Sequence, residues 1–331
     1  MKVAKHNTKI RSVAVLTSGG DAPGMNAAIR AVVRYSISRG LQVYGVETGY
    51  SGLVDARFQR MELASVANII QRGGTILKTD RCPDFHKKSV RKHAAERMRD
   101  HGIDSLVVIG GDGSFRGAHL LWEEHQIPVM GIPGTIDNDL YGTELTIGFD
   151  TAVNTGIEAI DKIRDTASAH QRTFIMEVMG RNSGYIALDV GVGGGAEAII
   201  IPEVPVTPKQ VAAAIDRGVR RGKTSSIIVV AEGIKPNKSI ELAKELKAKH
   251  GISSKVCILG HIQRGGSPSA KDRLIASLMG MEAVKSLLAG NTDAMIGVQG
   301  DKEVLVPFAL ATTKKKALRH EFIELARALA I

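Results

Sequence analysis

Two short segments hold the residues best suited to chemistry. Gly110-Gly111-Asp112-Gly113-Ser114 combines open glycine backbone with one carboxylate, the equipment that a metal-bound phosphate chain requires. Further along, Pro133-Gly134-Thr135-Ile136-Asp137-Asn138-Asp139 gathers a hydroxyl and two carboxylates in one loop. Together they read as a device for moving a phosphoryl group from a nucleotide onto an alcohol, a reaction that asks for positioning and charge neutralisation more than covalent chemistry. Asp112 is the best metal ligand, a hard carboxylate suited to Mg²⁺, and Gly20, Gly111, Gly113 and Ser114 would line the nucleotide. Asp137 is placed as the general base that takes the proton of the attacking hydroxyl. Thr135 would hold that hydroxyl or the transferred group, and Asp139 would assist the metal or orient its neighbours. A turn rich in Asx caps accounts fairly for Asn138 but poorly for Asp137.

The surrounding pattern supplies the elements that must position these loops. Ser105–Ile109 is a short apolar, β-branched run, read as a buried parallel strand that delivers the chain straight into the glycine loop. Phe115–Glu124 then has helix-compatible composition, and Pro128–Ile132 is a second strand feeding the Pro133 loop. In open α/β sheets ligands bind outside the carboxyl ends of the strands, so both loops should face one crevice. Strand and helix patterns alternate along the rest of the chain, the mark of an α/β protein. Strands are expected at 12–17, 41–46, 173–178, 198–201, 226–231 and 255–259, and helices at 26–39, 207–221, 240–250 and 271–288. Glu144–Asp150 lacks a strong period and is the expected crossing between domains.

Five segments in order then carry a family resemblance: Leu16-Thr17-Ser18-Gly19-Gly20-Asp21-Ala22-Pro23-Gly24-Met25-Asn26, the two loops above, Met179-Gly180-Arg181, and Gly260-His261-Ile262-Gln263-Arg264-Gly265-Gly266-Ser267-Pro268. The chain resembles the bacterial-type ATP-dependent 6-phosphofructokinases over nearly its whole length. That likeness implies transfer of the γ-phosphate of ATP to the 1-hydroxyl of fructose 6-phosphate, with Mg²⁺. It implies an α/β phosphofructokinase fold of two three-layer α/β/α domains with mainly parallel sheets. A nucleotide-binding domain would take residues 1–147 plus 260–312, and a sugar-phosphate-binding domain 148–259 plus 313–331. It further implies Tyr50 on the adenine side and Arg81-Cys82 along the phosphates. Thr135, Ile136, Asp137, Met179, Gly180, Arg181, Glu232, His261, Ile262, Gln263 and Arg264 would contact the sugar phosphate, Arg181 also taking part in catalysis. Arg172 would reach the site from a neighbouring subunit of a homotetramer. The family usually presents an arginine for the 6-phosphate where this chain has Lys255, which keeps the charge but loses the planar fork.

The effector site is where the chain departs further. Arg30, Arg34, Arg164, Gly195, Glu197, Arg221 and Lys223 match positions that bind a nucleotide diphosphate, whereas Leu63, Asn68, Thr224 and Ser225 replace charged or imidazole groups. Two other readings compete. A pyrophosphate-dependent relative would carry a bulky acid in place of Gly113 and a lysine in place of Gly134; both glycines here leave room for the α-phosphate. A non-catalytic sensor of sugar phosphate or nucleotide would be free to lose Asp112, Asp137 and Arg181, which are all present. Gly218–Thr224 mimics a Walker A motif, but it has three intervening residues where four are needed and follows a helix instead of a strand.

Bulk composition agrees. The 331 residues are 44% apolar and only 4% aromatic, enough for a large aliphatic core. A formal net charge of +10 suits multiply phosphorylated substrates; no long basic block or base-stacking aromatic series points to nucleic acid. Two cysteines make no disulfide framework and suit a reducing compartment. Met1–Arg11 is basic and polar with no apolar stretch after it, unlike a signal peptide, and no run is long enough to span a membrane. A cytoplasmic enzyme is expected.

Overall fold

Small and aliphatic residues, Ser-Val-Ala-Val-Leu-Thr, run from Ser12 to Thr17, and that strand is buried along its entire length. Burial on both faces is what such a run requires. It lies at the heart of one of two compact units into which the computed structural model divides; residues 2–170, 172–300, 302–318 and 320–329 are described. The first unit takes Met1–Ile136, Leu140–Asp150 and Arg264–Lys316, and the second takes Asp137–Asp139, Thr151–Gln263 and Ala317–Ile331. Asp137–Asp139 and the Gly260–Gln263 stretch therefore group with the second unit, although the sequence reading gave them to the first.

The first unit is built on a seven-stranded sheet. After the two-residue β1 (Ala4–Lys5), its strands are β2 (Ser12–Thr17), β3 (Gln42–Val46), β4 (Phe58–Arg60), β5 (Ser105–Gly110) and β6 (Val129–Pro133). Late in the chain come β12 (Ala294–Gln299) and β13 (Lys302–Pro307), following β11 (Asn291–Thr292), which pairs with β1. The order is β13-β12-β6-β5-β2-β3-β4, with the five central strands parallel and an antiparallel strand at each edge. Alternate side chains serve opposite faces. Ala14, Leu16, Leu106 and Val108 pack with α2 (Gly49–Val54), α3 (Lys88–Asp100) and α4 (Asp112–His125). The other face lies under α1 (Met25–Ser38) and α9 (Ala270–Leu288), which approach so closely that a Cβ on Gly280 would fall 2.7 Å from that of Ala31. A one-turn helix, α10 (Phe308–Ala311), adds Phe308 against Phe115.

The second unit holds a four-stranded, wholly parallel sheet, with β7 (Thr173–Val178), β8 (Ala198–Ile200), β9 (Ser226–Ala231) and β10 (Ser254–Ile258) in the order β10-β7-β9-β8. Ile175, Ile200, Ile228 and Val230 bury against α7 (Pro208–Arg220) and α8 (Lys238–His250). The intervening Ile227 and Val229 are fully buried on the opposite face, where α6 (Tyr185–Gly193) lies, so the sheet is covered on both sides. The terminal α11 (His320–Leu329) packs on α6. The helix α5 (Phe149–His170) starts inside the segment read as the crossing between domains. Its apolar residues Phe149, Ala152, Val153, Ile157 and Ile160 recur at helical spacing, a signal that the strand and helix expectations above passed over.

Candidate active site

Strand pairing brings the two phosphate-handling loops together. β5 and β6 are parallel neighbours with Gly110 opposite Pro133, and the N–H of Gly134 donates to the carbonyl of Gly110 at 3.0 Å. A Cβ built on Gly111 would lie 3.9 Å from that of Thr135. The third loop joins them at β2, the strand on the other side of β5, where the N–H of Ser18 donates to the Ile109 carbonyl at 2.9 Å. A side chain on Gly110 would strike the carbonyl of Ser18 at 2.5 Å, so only glycine permits this approach.

Within the Gly110–Ser114 loop the residues divide their work. Asp112 is the first residue of α4 and half-exposed, at the positive end of the helix, where an anion is favoured. Gly113 is exposed and its missing side chain would point into open space. Gly134 differs: a Cβ there would meet Ile109 Cγ2 at 2.9 Å and Met25 Cε at 3.0 Å. The room attributed to it from sequence is filled by the core, so its glycine is a packing requirement. Ser114 is also corrected. Its buried hydroxyl donates to the carbonyl of Ser18 at 3.1 Å and ties two glycine loops to each other.

Tyr50 does not offer a face to adenine. It is 5% exposed, stacks on Phe85 with centroids 4.1 Å apart, and donates its hydroxyl to the Ser114 carbonyl at 2.5 Å. Burial pushes its phenol well above the ordinary range, keeping it a neutral donor. It braces the phosphate loop from the core side. Arg81 is exposed and Cys82 half-buried at the head of a short 3₁₀ turn, Pro83–His86. The sequence reading missed what holds the first loop. Asn26, fully buried, donates to the carbonyls of Arg72 and Gly73 and accepts from the N–H of Ile76, while Thr79 donates to the carbonyl of Gly19 at 2.7 Å. Arg264, assigned to the sugar phosphate from sequence, packs its guanidinium over Gly20 and donates to the Asp21 carbonyl at 3.1 Å.

On the acceptor side Asp137 is 5% exposed, and its backbone carbonyl accepts from the Ser183 hydroxyl at 3.2 Å. Asn138 adopts φ +50°, a left-handed turn that asparagine tolerates, and Asp139 is half-buried beside it. Desolvation, then Glu203 and Asp139, raise the phenol of the neighbouring Tyr185 above its usual range. Arg181 has its side chain exposed and a left-handed φ of +54°, and its N–H donates to Glu232 Oε1 at 2.8 Å, which joins two of the sugar-phosphate candidates. Gly180 supports that turn at φ +143°. His261 and Ile262 are exposed, the latter at 69%. Arg172 precedes β7, and Lys255 lies on the edge strand β10; both are exposed cations.

Two further assignments need correction. Ile136 is fully buried, so only its backbone could meet a substrate. Gln263 is buried as well: its amide accepts from the N–H of Met179 at 2.8 Å and donates to the carbonyl of Ala152 at 3.1 Å, fixing the Met179 turn. Among the effector candidates, Arg30 and Arg34 lie one turn apart on α1. In the second unit Arg164 donates to the carbonyls of Gly194 and Gly195 at 2.6 and 3.0 Å, and Lys223 pairs with buried Glu197 at 2.8 Å. Arg221 reaches back to the Arg217 carbonyl.

The family described as phosphofructokinase matches residues 12–287. A Thermotoga neapolitana protein named ATP-dependent 6-phosphofructokinase is 55% identical over 97% of this chain and 100% of its own length. One from Thermus thermophilus, named ATP-dependent 6-phosphofructokinase 1, is 52% identical over the same shares. The solved phosphofructokinase of Saccharomyces cerevisiae superposes with a TM-score of 0.85 at 36% identity over 96% of this chain, which spans 46% of the yeast chain's length. With its α/β architecture and mostly parallel sheets, the chain belongs to the phosphofructokinase family.

Proposed function

We propose that the protein is an ATP-dependent 6-phosphofructokinase, which phosphorylates the 1-hydroxyl of fructose 6-phosphate and so feeds glycolysis. The observation that carries this reading is the junction at β5 and β6, where the glycine loop that opens α4 and the Gly134-Thr135 stretch lie side by side at the carboxyl ends of two parallel strands. Asp137 accepts the proton as the sugar oxygen attacks; the new O–P bond forms while the bond from the γ-phosphorus to the bridging β–γ oxygen breaks, and ADP leaves. Arg181 and Arg264 supply positive charge for phosphate oxygens, and Arg172 and Lys255 from a neighbour in a homotetramer clamp the 6-phosphate.

Asp112 would hold Mg²⁺. The donor set fits an ion that arrives on the nucleotide: one half-exposed carboxylate at the start of α4, beside open glycine backbone, leaves most of the coordination to phosphates and water. Such an ion neutralises charge on the transferring phosphates. Among the described residues no helix is long and apolar enough to cross a membrane. A coupled assay for fructose 1,6-bisphosphate, with ATP or pyrophosphate as donor and Mg²⁺ or EDTA, tests the proposal. Turnover with ATP and Mg²⁺ is expected; faster turnover with pyrophosphate would reverse the donor, and none with either would leave only a sensor.

A further inference from the structure

Asp112 is already engaged. Arg116, one turn along α4, grips both its oxygens: Nε lies 3.2 Å from Oδ1 and Nη2 lies 3.1 Å from Oδ2. The same Nη2 donates to the carbonyl of Thr312 at 2.9 Å, just past α10. The guanidinium thus faces the two atoms through which a carboxylate would ligate a divalent cation. Both side chains are open to solvent, at 61% for Arg116 and 36% for Asp112, and an exposed pair opens at small cost. A phosphate accepts the same planar fork in the same paired geometry, so the exchange of one anion for the other is close to balanced.

We infer that Arg116 is a latch on the phosphate loop. It neutralises Asp112 until a metal-bound polyphosphate arrives, then yields the carboxylate and turns its guanidinium to the phosphate oxygens. Arg116 thereby sets how much Mg²⁺ the nucleotide site demands. The inference rests on the kinase reading above.

Binding of the non-hydrolysable ATP analogue AMP-PNP, titrated with Mg²⁺ and without sugar phosphate, tests it by calorimetry in wild type, Arg116→Gln and Arg116→Lys. The Gln variant should reach half-maximal Mg²⁺ stimulation at about fivefold lower concentration, the equivalent of about 1 kcal/mol for an exposed pair. It should also bind the analogue several-fold more weakly in EDTA. The Lys variant, charged but without the fork, should fall between the two. Unchanged half-saturation in both variants would reduce the contact to a surface ion pair, and a raised value would make Arg116 a brace for the metal-binding carboxylate; either overturns the latch. A wild-type protein that binds no analogue at any Mg²⁺ concentration would overturn the kinase reading and the latch with it.

Discussion

Gly113→Asp separates what the nucleotide needs from what the fold needs. Nothing lies within 4 Å of the position a Cβ would take, and the residue sits in the first turn of α4 with no positive φ. An aspartate there gains helix propensity over glycine and about 0.3–1 kcal/mol from the helix dipole, so the melting temperature should hold or rise by a few degrees. The nucleotide meets the opposite effect. A carboxylate about 5 Å from one phosphate charge is repelled by about 0.8 kcal/mol in a water-like dielectric and about 3 kcal/mol at an effective constant of 20. The KM for ATP should therefore rise between about fourfold and a few hundredfold. Steady-state kinetics beside a thermal melt would show both. A contrasting variant, Gly134→Ala, should destabilise by about 1–3 kcal/mol, because its methyl meets Ile109 and Met25 near 3 Å. A Gly113→Asp enzyme with normal ATP kinetics, or one that fails to fold, would refute the assignment of open space at Gly113 to the phosphates.

Asp137→Ser should lower turnover by about 10²–10⁴-fold while the KM for fructose 6-phosphate changes little; near-normal turnover would remove Asp137 from its role. With Arg164 bound to backbone carbonyls and Lys223 to Glu197, an effector phosphate must displace internal partners. Curves of velocity against fructose 6-phosphate should thus respond weakly to millimolar ADP or phosphoenolpyruvate, and a several-fold shift of a sigmoidal curve would contradict this. Arg91→Gln removes the buried guanidinium that pairs with partly exposed Glu124 through two bonds of 2.7 Å, and should cost about 1.5–3 kcal/mol at neutral pH by urea denaturation. The hydrogen bond from Arg91 holds the Glu124 carboxyl below its usual range. The pair's contribution is therefore complete above the unfolded value near about 4.3 and is lost as pH falls through the lower folded value, so the gap between variant and wild type should narrow in acid.

The sequence was most legible where local pattern and final burial coincide. The runs at Ser12–Thr17, Ser105–Gly110 and Ser226–Ala231 are buried at every position, and each reads as a strand without further help. α6 was missed because it is apolar on all sides and shows no amphipathic period, and α3 because charge dominates its composition. At the site, the glycine loops announced themselves, but the directions of individual side chains did not. Gln263 is a staple only because Met179 and Ala152, 84 and 111 residues away, come to its amide. Tyr50 is a core residue only because Phe85 covers its ring. Arg116 carried a usable signal, an arginine four residues after an aspartate on one helix face, which glycine-motif reading passes over.

These corrections change where the specificity of the phosphate loop resides. The groups assigned to chemistry by type are partly scaffold: Ser114 bonds to Ser18, Tyr50 to the carbonyl of Ser114, and Phe85 stacks on Tyr50. Arg91 then donates to the carbonyl of Phe85 at 2.7 Å while paired to Glu124 on α4, the helix that the loop begins. The series closes on itself, so the loop is held from below by hydrogen bonds, one of them from a guanidinium, by one aromatic stack and by one part-buried ion pair. Each bond alone contributes about 0.5–1.5 kcal/mol, but a loop with several fixed points loses little further entropy when a phosphate binds. That arrangement leaves Asp112 and Gly113 as the parts of the loop that face outward, one charged and one bare, and it is their contrast that suits a metal-bound polyphosphate.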